Sequence, residues 1–272
     1  ERGVGDAVNE FIAEGGCKRE DIWVTSKIWP SEYSDPTAVD RMLRRLNLDY
    51  VDLVYPHQPV GDIKAAWKNL ETAVRMGKVR ALGLSNFEVP GAEKWFQWCV
   101  DSTEIKPVIM QMECHPYAQR IEKRKLAEKY GMKVECWFPL GGAMSQGALL
   151  KDPAIVKIAN AHKVTPAQVI LRWEIQEGLL TIPGSTKPDH INGNLAAAEG
   201  KVNGQDFTLT AKEMKQMRKL NKEQRFFNAS YEQAQSYAKW NVMDSIEAKE
   251  AELSKLSAKK WQWMAEKNVT EL

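Results

Sequence analysis

Residues 51–87 read VDLVYPHQPVGDIKAAWKNLETAVRMGKVRALGLSNF. Two short apolar runs, Val51–Tyr55 and Ala81–Leu84, bracket a longer amphipathic segment. Neither run alternates polar with apolar, so each predicts a strand buried on both faces, as in parallel sheets. The same unit recurs outward in both directions. Ile22–Ser26 precedes it, and Val108–Met112, Lys133–Trp137 and Leu179–Ile182 follow. The intervening helices have readable starts. Asp35-Pro36 and Asp152-Pro153 each place a capping acid before a proline suited to the first helical position. Thr165 with Gln168 and Thr210 with Glu213 fit capping boxes. Strand, helix, strand without interruption predicts right-handed βα units on a parallel sheet.

Such a sheet either stays open and doubly wound or closes into a barrel. The open nucleotide-binding form carries G-x-G-x-x-G after its first strand. Gly3-Val-Gly5 lacks the third glycine, and Gly141-Gly142 does not match. The fold class expected is therefore α/β, a (β/α)8 TIM barrel. Six strands are legible where the barrel has eight. Glu1 runs straight into Gly3-Val-Gly-Asp-Ala-Val-Asn-Glu-Phe11 with helical character, so the first two βα units are expected to precede Glu1. Without them the sheet would keep open edges. The domain organisation expected is a barrel over 1–205 and a C-terminal loop and helical extension over 206–272. From about Gly204 there is no strand signal. The stretch 228–268 is rich in Lys, Glu, Ala and Gln, with Trp240, Trp261 and Trp263 interleaved, which suits one or two amphipathic helices lying on the barrel. The alternative is a surface for a partner or a second copy.

The composition is that of a globular chain. Its 272 residues suit one large barrel domain, and 43% hydrophobic with 27% charged residues supports a sizeable core. A net charge of +2 offers no footprint for nucleic acid or a charged membrane surface. No apolar run is long enough to span a bilayer. Cys17, Cys99, Cys114 and Cys136 show neither CxxC nor metal-ligand spacing, which predicts free thiols and no metal site. With no secretory signal, the expected location is cytoplasmic. The protein is expected to be a monomer or a weak homo-oligomer.

In barrels of this kind the chemistry sits where strands end. The six ends read Thr25-Ser-Lys-Ile-Trp29, Tyr55-Pro-His-Gln-Pro59, Gly83-Leu-Ser-Asn-Phe87, Gln111-Met-Glu-Cys-His-Pro116, Trp137-Phe-Pro-Leu-Gly-Gly142 and Ile182-Pro-Gly-Ser-Thr-Lys187. A glycosidase needs two facing carboxylic acids, and only Glu113 is counted near an end. A metal hydrolase needs converging His, Asp or Glu ligands, and the ends offer only His57 and His115. Schiff-base chemistry at Lys27 would leave the neighbouring amides unexplained. Ser85, Asn86 and Gln111 are neutral donors and acceptors suited to a carboxamide. Trp137 offers a flat face for a planar ring. Ser185, Thr186 and Lys187 precede a helix that Pro188 opens, and a helix N-terminus attracts phosphate. Carboxamide, ring and phosphate together describe a nicotinamide dinucleotide. His115 reads as structural, and His162 as a surface helix residue.

Several of these runs together resemble the aldo-keto reductase family. They are Val24-Thr-Ser-Lys-Ile-Trp29, Asp52-Leu-Val-Tyr-Pro-His-Gln-Pro59, Arg80-Ala-Leu-Gly-Leu-Ser-Asn-Phe87, Gln111-Met-Glu-Cys-His-Pro116 and Ile182-Pro-Gly-Ser-Thr186. The resemblance spans about residues 1 to 227, and in kind is with bacterial aldehyde or diketo-gluconate reductases. It implies an Asp, Tyr, Lys and His tetrad, in which Lys27 and His57 take the last two places and the Asp and Tyr would precede Glu1. It implies hydride transfer from NAD(P)H to an aldehyde or ketone, with the Tyr protonating the oxygen. An ammonium beside a phenol lowers the phenol's pKa, which fits Lys27. His57 would hydrogen-bond the carbonyl oxygen. Trp29 would wall the substrate pocket, and the cofactor would be held by Ser85, Asn86, Gln111, Trp137, Leu140, Ser185, Thr186, Lys187, His190 and Asn194. Members often carry a lysine where this chain has Gly184, and an arginine where it has His190. Both departures weaken strict NADP selectivity, and Lys187 is the basic residue placed to offset them. Because the family commonly favours NADPH, NADP(H) is expected, with NAD(H) open. Trp137 replaces the usual stacking tyrosine. The competing expectations are a non-catalytic binding or structural protein on the same scaffold, and an inactive fragment.

Overall fold

The computed structural model describes residues 1–228 and 230–240. Six parallel strands alternate with helices in the order α1 (Arg2–Ala13), β1 (Thr25–Ile28), α2 (Ala38–Leu46), β2 (Val51–Pro56), α3 (Ile63–Arg75), β3 (Val79–Ser85), α4 (Glu93–Asp101), β4 (Ile109–Glu113), α5 (Ile121–Lys129), β5 (Lys133–Trp137), α6 (Pro153–His162), α7 (Pro166–Gln176), β6 (Leu180–Thr181) and α8 (Pro188–Glu199). A short antiparallel pair, β7 (Lys201–Val202) and β8 (Gln205–Asp206), then leads to α9 (Ala211–Arg218) and α10 (Tyr231–Tyr237). The six strands pair in strict chain order, each parallel to the next. A doubly wound sheet reverses its order at a switch point, whereas a barrel wall never does. The order is that of the expected barrel wall, of which the described residues form six strands, with β1 and β6 at the ends of the sheet.

Local chemistry explains the elements. Asp152 caps α6 by accepting from the N–H groups of Ala154 and Ile155, with Pro153 at the first helical position. Thr165 and Thr210 form the expected capping boxes with Gln168 and Glu213. The strand-to-helix packing buries Trp67, Trp173, Met42, Leu46, Ile63 and Leu70 completely or nearly so. Inside the ring a smaller cluster, Leu53, Tyr55 and Ile109, fills the wall beneath the strand ends. Asp52 is a charge in the middle of buried β2, and it is paired on all sides. It accepts from Arg19 Nη2 at 3.0 Å, Arg80 Nη1 at 2.8 Å and Val24 N at 2.8 Å, tying β1 and β3 to β2.

Three expectations need correction. Asp35-Pro36 does not open a helix. The Asp35 carboxylate accepts from Thr37 N and Thr37 Oγ1, both at 2.8 Å, and from Arg41, so it closes a turn and α2 starts at Ala38. The region after Gly204 does hold a strand. Asn203 and Gly204 have φ of 53° and 75°, the two positive angles that a tight hairpin turn requires, and they join β7 to β8. His162 is not a free surface residue: its Nε2 lies 2.8 Å from Glu213 Oε1 and fastens α6 to α9. Of the expected C-terminal extension, α9, α10 and Trp240 are described; Trp261 and Trp263 lie outside the described residues. All four thiols are free, and Cys99, Cys114 and Cys136 are buried. No helix among the described residues is long and apolar enough to cross a membrane.

Helix α1 meets α2 at Gly5. A Cβ built on Gly5 would sit 1.7 Å from the carbonyl oxygen of Leu46, so only a hydrogen fits. Gly5→Ala is expected to force α1 off its seat, with an overpacking cost of about 1–3 kcal/mol. Urea unfolding measures this directly, and an unchanged midpoint would show that α1 does not dock there.

Candidate active site

Strand register places the side chains. Lys27 of β1 pairs with Tyr55 of β2, while Ser85, Gln111 and Glu135 pair successively across β3, β4 and β5. Residues paired across neighbouring strands share a face, so these side chains line the inside of the ring. His57 follows β2 and Asn86 follows β3, both at the rim. Glu135 is the residue that the sequence reading passed over. It is a buried carboxylate inside the ring, 7% exposed, beside Gln111. Its signal was present: an acid in the middle of the otherwise apolar run Val134-Glu135-Cys136.

Donor and acceptor chemistry fixes how the amides point. A carboxylate only accepts, so the Gln111 amide that meets Glu135 Oε2 must present Nε2 to it. Gln111 Oε1 is then turned away, fully buried and without a protein partner. An indole N–H only donates, so Asn86 must turn Oδ1 to Trp137 Nε1, at 3.0 Å. Asn86 Nδ2 then reaches the carbonyl oxygen of His57 at 3.2 Å and Ser85 Oγ at 3.4 Å. Asn86 thereby clamps the Trp137 ring to the loop carrying His57. It does so at φ 65°, a left-handed conformation that asparagine tolerates. Phe138 at φ 55° has no such tolerance, and its ring lies edge-on to Trp137 at 4.7 Å. The turn after β5 is thus held under strain by its surroundings.

Lys27 and His57 face each other electrostatically. Burial holds the Lys27 ammonium below its usual pKa, and Glu135 partly offsets this. Burial, and then the Lys27 charge, push His57 down to about 3. The imidazole is therefore neutral over the physiological range and offers an N–H, not a proton. The Trp29 ring stands edge-on to it at 5.0 Å. This has a stability consequence. Unfolded, the histidine titrates near 6.5; folded, near 3. Between these values the unfolded state binds the extra proton, so stability falls as pH drops from about 6.5 towards about 3. His57→Asn is expected to flatten that part of the stability profile, read from chemical unfolding between pH 4 and 7; an identical slope would place the acid sensitivity elsewhere.

The remaining sequence-predicted residues gather beyond β6. Leu140, Ser185, His190 and Asn194 line one cavity of about 890 Å³, together with Thr165, Gln168 and Gly184. Ser185 Oγ accepts from the N–H of Lys187 at 3.1 Å, shaping the turn into α8, which starts at Pro188. Thr186 and Lys187 are exposed at that turn. The structure therefore divides the predicted set in two. Lys27, His57, Trp29, Ser85, Asn86, Gln111 and Trp137 converge at the ring, while the α8 group lines the second cavity.

The C-terminal segment comes back over the ring and is anchored by Glu113 at the end of β4. The carboxylate accepts from Arg225 Nε at 3.0 Å, Phe226 N at 2.5 Å and Phe227 N at 3.2 Å. The Phe227 ring then lies 5.6 Å from Trp137, and Phe226 lies 4.8 Å from His115. His115 is fully buried, with Nε2 3.2 Å from Glu113 Oε1, and belongs to this anchor. The single acid counted near a strand end thus holds the chain and does not stand in the ring.

Parallel βα units in strict order, with polar side chains gathered at the strand ends, define a barrel enzyme scaffold of the TIM type. The aldo/keto reductase family model matches residues 3–222, and the chain belongs to that family of oxidoreductases. It is 38% identical to the glyoxal reductase of Bacillus subtilis over 229 residues, which cover 83% of this chain and 76% of that protein. A solved aldo-keto reductase enzyme from a Medee basin deep-sea metagenome library has a TM-score of 0.72 at 29% identity, covering 84% of this chain and 83% of that one. The structure of a Bombyx mori aldo-keto reductase in complex with NADP has a TM-score of 0.70 at 27% identity, covering 83% and 76%.

Proposed function

We propose that this site reduces an aldehyde or ketone to an alcohol with a nicotinamide dinucleotide, NADP(H) in preference to NAD(H). The observation that carries the reading is the buried, unpartnered Oε1 of Gln111, set in one row with Ser85 and two residues short of the level of Trp137 on β5. A buried acceptor without a partner costs about 1–3 kcal/mol. A carboxamide N–H would satisfy it, with Ser85 Oγ as the second contact and the indole face against the ring. The residues present therefore fit the group. When bound, the dinucleotide supplies the hydride. Its adenosine end would lie in the cavity lined by Leu140, Ser185, His190 and Asn194, with Thr186 and Lys187 at the start of α8 offering hydroxyl and charge to phosphate.

The chain's own residues do the rest. His57, neutral, donates its N–H to the carbonyl oxygen, orienting it and stabilising the negative charge that develops there. Lys27 places an ammonium at the same end and lowers the pKa of a neighbouring phenol. Neither Tyr33, which follows β1 and packs in the strand-to-helix core, nor Tyr55 inside the ring serves as that phenol. Tyr33 donates to the carbonyl oxygen of Gln58 at 2.7 Å and Tyr55 donates to Glu135 at 3.0 Å; burial holds both hydroxyls above the usual range. The proton is assigned to a tyrosine preceding Glu1, as the family resemblance implies. Trp29 and Phe227 would flank the substrate, which makes the rim apolar.

Titration of tryptophan fluorescence tests the cofactor half of this reading. NADPH is expected to quench Trp137 saturably, and NADH more weakly. Oxidation of NADPH at 340 nm over a panel of aldehydes and ketones, in the protein extended to include the upstream residues, tests the rest. No saturable quenching by either dinucleotide would end the proposal.

A further inference from the structure

Five neighbouring strands, β1 to β5, meet around one carboxylate inside the ring. Tyr55 leaves β2 and passes over β3 and β4 to reach Glu135 of β5, three strands further on. It can do so because β3 carries Gly83 at the crossing. A Cβ there would lie 2.3 Å from Tyr55 Cε1 and 2.9 Å from the carbonyl oxygen of Ile109. The Tyr55 hydroxyl donates to Glu135 Oε2 at 3.0 Å, and Gln111 Nε2 of β4 donates to the same oxygen. Lys27 of β1 pairs with Tyr55, its Nζ 5.9 Å from the centre of that ring.

We propose that Glu135 is a positioning residue for the reductase site, holding Gln111 with its Oε1 turned to the cofactor and holding the Lys27 ammonium in place through Tyr55 and its own negative charge. The proposal rests on the functional reading above. A glutamine at position 111 has two faces, and a neutral neighbour could accept either. A carboxylate accepts only the NH2 face, so one orientation remains. Ordering that amide before the cofactor arrives removes a cost of binding. The titratable and charged groups around this point are few. Facing Glu135 are Lys27, Tyr55 and Gln111; its register partner on β6 is Leu180. Facing Lys27 are Glu135, Tyr55 and His57. Glu135 is the one acid in that group, and it acts against the burial that lowers Lys27.

Two variants test this. Glu135→Gln keeps the shape and removes the charge. Glu135→Asp keeps the charge and withdraws it by one methylene. In Glu135→Gln, NADPH affinity by fluorescence titration is expected to fall about tenfold. The alkaline limb of kcat/KM should also move down by about one pH unit, because Lys27 loses its proton more easily. In Glu135→Asp affinity should fall while the alkaline limb stays. Circular dichroism establishes that each variant is folded, and Glu135→Asp decides the matter if Glu135→Gln is not. If both variants lose rate equally with no movement of the limb, Glu135 is structural and the proposal is overturned. Wild-type affinity and wild-type pH profile in Glu135→Gln would overturn it as well. A wild-type protein that binds neither NADPH nor NADH sinks the functional reading itself, a separate outcome from either of these.

Discussion

Lys27→Met is expected to lower kcat by about 100- to 10,000-fold, the range associated with loss of assistance to proton transfer. Methionine fills the volume of the lysine stem in a half-buried position, so packing beside Tyr55 survives. What disappears is the ammonium. The tyrosine proposed as proton donor would then keep its ordinary phenol pKa and donate poorly at neutral pH. Lys27 does not belong to the Ser85, Gln111 and Trp137 set assigned to the nicotinamide, so NADPH affinity should change less than threefold. The loss should therefore fall on kcat and leave the fluorescence titration in place. A variant that kept full rate would remove Lys27 from the mechanism. One that lost cofactor binding instead would make it a binding residue.

The second large effect is expected at Glu113. Glu113→Ala strips the partner from a nearly buried Arg225 guanidinium and from two backbone N–H groups at once. Breaking a buried ion pair by removing one side costs about 3–5 kcal/mol, because the other charge stays uncompensated. The loss should be local first. Amide exchange at Phe226 and Phe227 should accelerate far more than exchange in β4, and KM for a bulky carbonyl should rise as Phe227 leaves Trp137. Unchanged exchange at these two amides would show that the segment is held elsewhere. The anchor also predicts a pH dependence. Burial alone would raise the Glu113 carboxyl, but the bonds from His115, Phe226 N–H and Arg225 outweigh it and hold it below its usual 4.5. A depressed folded value means that its stabilisation is present above pH 4.5 and is lost as the pH falls through the folded value.

The contrast between Lys27 and Glu135 shows what was legible in advance. Lys27, His57, Ser85 and Asn86 each sit at or beside a strand end, and strand ends announce themselves by runs of buried β-branched and aromatic residues. Gln111 and Glu135 face each other in the middle of β4 and β5; the first lies in a run of several polar residues that marks a site, whereas the second reads only as an interruption of an apolar pattern. Its meaning depends on Tyr55, which arrives from three strands away, past Gly83 of β3, a contact between residues 80 apart in sequence. Asp35-Pro36 failed for a related reason. The sequence shows a capping acid before a proline, but Arg41 and Thr37 claim that carboxylate, and the helix begins later.

Order along the chain determined much of this protein: six strands, their alternation with capped helices, the parallel sheet, and the residues that stand at the mouth of the ring; burial on both faces holds for β2 to β5 but not for β1 and β6, which end the sheet and are more exposed. These follow from side-chain period and from caps, which are local properties of a few neighbouring residues. Tertiary structure alone decided the rest. It turned the Asn86 and Gln111 amides, closed the C-terminal segment onto Glu113, and made the His57 imidazole neutral. Each of these depends on which groups share a dry interior, where an unpaired donor or charge is expensive, and that company is set only when distant strands lie side by side.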